Sequence, residues 1–376
     1  MSTLSDRERI DWLRLCRSEN VGPVTFRRLL HRFGNAAAAL EALPELVRRG
    51  GRTSTRVCAA EEAEQEIESL CHAAGRFIGL FEPDYPHALR AIDDAPPVLA
   101  VLGNASLLSQ PILGMVGSRN ASLNGSRLAE RLAQDLGTAG FVIASGLARG
   151  IDTAAHEGAL KTGTVAVVAG GVDVVYPKEN KKLYDEIIEQ GAVISEQPLG
   201  SSPIARHFPR RNRIISGLAK GVLVVEAHLR SGSLITARSA ADQGRDVFAV
   251  PGSPLDPRAR GCNDLIRHGA VLTESAEDVL AVCAVQPSFN AIPAGETVPQ
   301  TPVEGATRDE ALETEDARRQ VAQMLSPTPV DIDDIMRNCH LPAAVVQTIL
   351  LEWELAGQVE RHPGNKVSRI ATPSGG

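Results

Sequence analysis

The chain has 376 residues, 43% of them hydrophobic but only 3% aromatic, and a formal net charge of −7. That length suits two or three domains, and an aliphatic, ring-poor composition suits a parallel sheet better than a β-sandwich. The negative balance excludes a polycation that grips nucleic acid over its whole surface, so any such site must be a local basic patch.

Residues 1–75 read as a helical module, with helices over 7–16, 25–33 and 61–74. Val21-Gly22-Pro23, just before the second helix, is similar to the turn of a helix-hairpin-helix or SAM-like module. Residues 76–102 read as a connector with two short extended pieces, 77–80 and 98–101, separated by proline breaks.

From Ile112 the pattern becomes regular. Apolar runs at 112–116, 141–145, 164–169, 192–195, 221–226, 246–250 and 270–273 alternate with helical stretches at 124–138, 151–161, 179–190, 208–219, 233–243 and 262–268. Continuous Val/Ile/Ala strands alternating with helices imply a parallel sheet covered on both faces. The expected fold is α/β, a Rossmann-like doubly wound, mostly parallel sheet spanning 76–285. In such sheets ligands sit beyond the carboxyl ends of the strands.

Residues 286–312, rich in proline, read as a linker. Residues 313–372 read as a winged-helix-like module: helices at 316–325, 332–338 and 343–356, then a β-ribbon. The third of these helices has no Lys or Arg but carries Glu352 and Glu354. A helix that enters the major groove needs donors. A protein-contact or structural role is therefore expected for this module.

The residues after each strand carry the functional reading. The stretch Ile112–Asn120, I-L-G-M-V-G-S-R-N, ends a strand in Gly117, Ser118, Arg119 and Asn120 before a helix. It is neither G-x-G-x-x-G nor a Walker A loop. The expectation is that its backbone N–H groups and Arg119 hold a phosphate. The second strand delivers Ser145 and Gly146, then Asp152 and His156 one helical turn apart. An N-terminal acid and a structural histidine are favoured there over a catalytic pair.

After the third strand comes Lys178, in Y-P-K-E-N. After the fourth comes P-I-A-R-H-F-P-R-R-N-R at 203–213. No acid occurs between Glu196 and Glu226, while Arg206, Phe208, Arg210, Arg211, Asn212 and Arg213 cluster there. Cations with an interleaved ring suit a single strand, charge for its phosphates and a face for its bases. After the fifth strand, Ser231 and Gly232 open another helix.

The six cysteines form no C-x-x-C pair and no zinc spacing. Free thiols in a reducing cytosol are expected. The polar N-terminus lacks a signal core, and no apolar run approaches roughly 18 residues. No strand end supplies a clear nucleophile–base pair or a metal set, so neither a cofactor nor catalysis is expected.

Taken in order, G-S-R at 117–119, S-G-L-A-R-G-I-D-x-x-A-H at 145–156, Y-P-K-E-N at 176–180, F-P-x-R-N-R-I-I-S-G-L at 208–218, V-V-E-A at 224–227, and S-G-S-L-I-T-A with G-R-x-V-x-A-V-P-G at 231–252 resemble the DNA-processing protein A family (DprA, also called Smf). The resemblance implies a protein that binds single-stranded DNA in natural transformation, helps load the recombinase RecA onto it, and dimerises through an extended Rossmann fold. It puts Gly117, Ser118, Arg119, Phe208, Arg211 and Asn212 at the DNA pocket. Members often carry a lysine shortly before the phenylalanine, in the stretch where Ala205 and Arg206 stand here. The alternatives are a nucleotide N-glycosidic hydrolase using Asp152, His156 and Glu226, and a scaffold that binds no nucleic acid.

Overall fold

The computed structural model of the chain describes residues 3–283, 308–362 and 364–370. They fall into two compact units. One runs from Glu64 through the α/β region, and the other joins Ser5–Ala63 to the C-terminal segment.

The chain opens with α1 (Asp6–Arg17), α2 (Pro23–Phe33) and α3 (Ala36–Arg49). Ser5 starts α1 with a capping box: its backbone N–H donates to the Glu8 carboxylate at 2.8 Å, and its Oγ accepts from the Glu8 N–H at 3.4 Å. Trp12 and Phe26 are buried and meet edge to face, 5.0 Å between centroids. α3 was not among the expected helices, and Pro44 lies inside it. Its buried Leu40, Leu43 and Val47 offset that proline by packing, and the helix lies on α1.

The second unit takes in α4 (Ala60–His72), β1 (Arg76–Gly79), α5 (His87–Arg90) and β2 (Val98–Gly103). Then β3 (Ile112–Gly117), α6 (Leu123–Thr138), β4 (Val142–Ser145), α7 (Ile151–Ala159) and β5 (Thr164–Val167) alternate. They continue as α8 (Lys181–Gln190), β6 (Ala192–Ser195), α9 (His207–Leu218), β7 (Gly221–Val225) and α10 (Ser233–Asp242). The unit closes with β8 (Asp246–Ala249), α11 (Arg260–Arg267), β9 (Val271–Leu272) and α12 (Ala276–Cys283), the last a helix the sequence reading lacked.

The sheet has nine strands in the order β1-β2-β6-β5-β4-β3-β7-β8-β9. From β6 to β9 every pairing is parallel, while β2 runs antiparallel to both β1 and β6. The stretch expected to be a connector is thus two strands of the sheet. The chain steps outward from β3 to β6, then returns to β7 beside β3, so the switch point lies between β3 and β7. Leu113, Met115, Leu132, Ile143 and Leu223 fill the core under α6 and α7. Ala166, Val193, Leu183 and Ile187 fill another under α8.

The C-terminal segment folds as α13 (Arg308–Met324), β10 (Val330–Asp331), α14 (Ile332–Cys339), α15 (Ala343–Leu355), β11 (Val359–His362) and β12 (Lys366–Arg369). The strands form a sheet ordered β10-β12-β11 around a core that includes Val321, Ile332, Ile349 and Val367. This is the winged-helix arrangement. The expected linker, 286–312, lies outside the described residues up to Arg308, where α13 begins.

Candidate nucleic-acid interface

Over the carboxyl ends of β3, β4 and β5 lies a cavity of about 400 Å³. Its lining includes Arg119, Gly146, Arg149, Tyr176, Lys178, Phe208 and Arg211. They arrive from four strand ends, those of β3, β4, β5 and β6, as a doubly wound sheet arranges.

Arg119 is presented by a pinned turn. β3 ends at Gly117, which pairs with Val225. The N–H of Ile151 donates to the Ser118 carbonyl at 3.1 Å, and the N–H of Asn120 to Ser118 Oγ at 3.2 Å. Ser118 is thereby buried as a structural residue, while Arg119 and Asn120 stay exposed. The Arg119 guanidinium lies over the Phe208 ring, 5.0 Å from its centroid. The Tyr176 ring lies tilted against the Phe208 ring, 5.9 Å between centroids, and is itself 49% exposed. The loop bearing Tyr176 and Lys178 is tied down by Asn180, whose amide donates to the Leu147 carbonyl and to Thr153 Oγ1, both at 2.9 Å.

Arg211 forms the floor. It is 5% exposed, and its Nη1 donates to the Val167 carbonyl at 2.7 Å. Burial pushes its pKa down to about 10, against the pull of Asp152, so it stays cationic at neutral pH. Its Nε is buried with no partner among the described residues. A Cβ added at Gly146 would stand 1.7 Å from Arg211 Nη1, so a larger residue there would displace that guanidinium.

The turns before α6 and α7 already carry acceptors from within the fold. At α6, Ser122 Oγ accepts from the Gly125 N–H at 2.9 Å. The Glu226 carboxylate takes the Ser122 N–H at 2.8 Å and its hydroxyl at 2.5 Å. An added Cβ at Gly125 would lie 2.5 Å from that carboxylate. The Ser122 and Gly125 amides that follow Ile112–Asn120 are thus taken up internally, and the turn presents the Arg119 side chain to the cavity. At α7, Asp152 accepts from the N–H groups of Gly146 and Ala148 at 3.2 and 3.3 Å.

The remaining residues from the sequence separate by side-chain direction. Arg213 points away from the cavity, buried in ion pairs with Glu196 and Asp94. Ser145 is buried and donates to the Met115 carbonyl at 2.6 Å. Asn212 donates to the Gly232 carbonyl at 3.4 Å, and Ser231 bonds Ser233 at 2.7 Å, both beside β7 and outside the cavity lining. Arg206 and Arg210 are exposed at the start of α9 and also stand outside it.

Arg149 and Tyr176, which the sequence reading left out of the site, belong to the lining. The G-x-x-x-G turn at 146–150 and the ring beside Pro177 are their signals.

The hydrolase candidates are each engaged within the fold. Glu226 caps Ser122, and Asp152 caps the α7 turn with its pKa raised by burial. His156 is fully buried, hydrogen-bonded to Thr164 Oγ1 at 2.7 Å, and burial drives its pKa down to about 3. It is neutral and enclosed by the fold.

The family model described as DNA recombination-mediator protein A matches residues 76–284. The chain belongs to the DprA/Smf family. Two further DprA models match, an N-terminal HHH domain at 6–69 and a winged-helix domain at 305–365. Protein Smf of Synechocystis is 33% identical over 397 residues, covering 97% of this chain and 100% of its own. DNA processing protein DprA of Streptococcus pneumoniae is 52% identical over 199 residues, 52% of this chain and 70% of its own. The solved structure of DprA from that organism superposes with a TM-score of 0.62 at 37% identity, covering 74% of this chain and 98% of its own. The Helicobacter pylori DprA, solved for its single-stranded DNA binding mode, gives 0.52 at 28% identity over 56% of this chain and 97% of its own. Among the described residues no helix is long and apolar enough to cross a membrane.

Proposed function

We propose that the cavity over β3–β5 binds single-stranded DNA. The observation that carries this reading is one cluster: Arg119 and Tyr176 on the Phe208 ring, above the buried cation of Arg211. The exposed Tyr176 ring and the half-buried Phe208 ring offer stacking faces that any base can use, and Arg119, Arg149 and Lys178 offer charge to the phosphates between bases. A duplex hides its base faces, so the rings favour a single strand. The Helicobacter pylori relative's single-strand binding supports the same ligand class.

Within that reading the protein acts without breaking bonds in the DNA. As the family resemblance implies, it works in the cytoplasm as a homodimer joined through the α/β domain and delivers the bound strand to RecA during transformation. Of the residues singled out in the sequence, Arg119, Lys178, Phe208 and Arg211 form the core of the site. Gly117, Ser118 and Gly146 shape it, while Asn120, Arg206 and Arg210 lie on its approaches.

Phe208→Ala tests the stacking face. One lost base–aromatic stack is worth about 1–3 kcal/mol, so affinity for an oligothymidylate is expected to fall about tenfold. The slope of log affinity against log salt stays unchanged, because no phosphate contact is removed. Fluorescence anisotropy reads both quantities. Unaltered affinity would exclude the ring from the interface.

A further inference from the structure

The two ends of the chain carry opposite charge. Residues 1–59 hold eleven arginines against six acidic residues, a net of +5, and residues 304–376 hold twelve acids against seven bases, a net of −5, with histidine neutral. These ends fold together into one compact unit. The winged helix finds its partner here, in the same chain.

The contact runs through α15, the third helix of the winged-helix module, which other winged helices place in a DNA groove. It packs on α3. The approach is backbone to backbone: a Cβ added at Gly50 would stand 2.2 Å from the Glu352 carbonyl oxygen. Gln358 Nε2 donates to the Gly50 carbonyl at 2.6 Å, and Asn20 Nδ2 to the Leu355 carbonyl at 2.9 Å.

Two carboxylates lie inside this contact. Glu354 accepts from the Thr25 hydroxyl at 2.6 Å and from Arg361 Nε at 2.8 Å, and it faces Arg28. Glu352, whose side chain is 2% exposed, pairs with Arg318 and faces Arg32 and Arg49. Burying carboxylates opposes association unless their partners compensate, and apolar residues of similar size often serve stability better. Their direct ion-pair partners, Arg318 and Arg361, lie in their own module, and beyond these both glutamates are turned toward arginines of α2 and α3.

We propose that α2 carries a second polyanion-binding face, for the backbone of double-stranded DNA, and that α15 is its autoinhibitory cover, with Glu352 and Glu354 standing where two phosphates would stand. Arg28, Arg32 and Thr25 are the groups released when the cover lifts. This face belongs to the unit formed by the chain ends and is independent of the single-strand cavity.

The test uses the full-length chain with Glu352→Gln and Glu354→Gln together, near-isosteric changes that remove charge. Affinity for a duplex oligonucleotide is expected to rise about tenfold, with a steeper salt slope from the added phosphate contacts. Single-strand affinity stays at the parental value, so failure here is separate from failure of the cavity reading. Adding Arg28→Gln and Arg32→Gln to the same chain returns duplex affinity to its starting level. Gly50→Ala pries the contact apart from the other side and gives the same gain by an independent route. Duplex affinity that does not rise in either opened variant overturns the proposal. If the amides of α2 then stay protected from hydrogen exchange, the glutamates do not hold the cover; if they exchange faster, the bared face does not bind. A gain that survives loss of Arg28 and Arg32 also overturns it.

Discussion

Arg119→Ala is expected to weaken single-strand binding about 10- to 100-fold, the scale of one lost charge-assisted contact worth roughly 1.5–3 kcal/mol. Arg119 is exposed, and its turn is held by the backbone and side chain of Ser118, so the truncation leaves the fold intact. The salt slope falls by about 0.7, the value for one phosphate contact on a single strand. That change in slope separates Arg119 from Phe208, whose loss lowers affinity alone. Anisotropy titrations at several salt concentrations check it, and an unchanged slope would show that Arg119 meets no phosphate.

Arg211→Met has the larger effect on stability. The side chain lies buried between the Val167 carbonyl and the Asp152 region, and its charge partly offsets the desolvation of that carboxylate. Removing one member of a buried charge pair costs about 3–5 kcal/mol. Urea denaturation at neutral pH is expected to show a loss near the lower end of that range, because the amides of Gly146 and Ala148 still hold Asp152. The deficit depends on pH with a definite sign. The folded pKa of Asp152 is raised by burial, and the methionine raises it further. The added loss is therefore absent when Asp152 is protonated in both states. It grows as pH climbs from the parent's folded pKa, itself above 3.8, to the variant's higher one. A variant as stable as the parent at neutral pH would mean that Arg211 is not part of the support for Asp152.

The strands from β3 to β8 were legible because a parallel sheet buries both faces, which leaves unbroken apolar runs such as Val222–Val225. Membership of β1 and β2 was not legible. Each is short, and nothing local says that Ala100 pairs with Ser195 across an antiparallel seam. Helix α3 escaped because Pro44 reads as a break, while the burial that tolerates it comes from α1.

Within the site, residue types were legible and directions were not. Arg211 and Arg213 stand two apart on α9, so they leave different sides of the helix. The first reaches into the cavity, and the second goes to Glu196 and Asp94. Glu226 was read as a candidate acid, yet it closes the α6 turn 104 residues away in sequence. Only the pairing of β3 with β7 brings the two together. The absence of basic residues from α15 was informative, for that helix lies against the arginines of α2 and α3.

The most direct measurement is a titration of the unaltered full-length protein with a single-stranded oligonucleotide and a duplex of equal length, each over a range of salt. Single-strand binding is expected to be the tighter. Log affinity should fall linearly with log salt at a slope of about −2, for three phosphate contacts at about 0.7 each. Equal or tighter binding to the duplex, or affinity indifferent to salt, would contradict a single-strand site built on Arg119, Phe208 and Arg211.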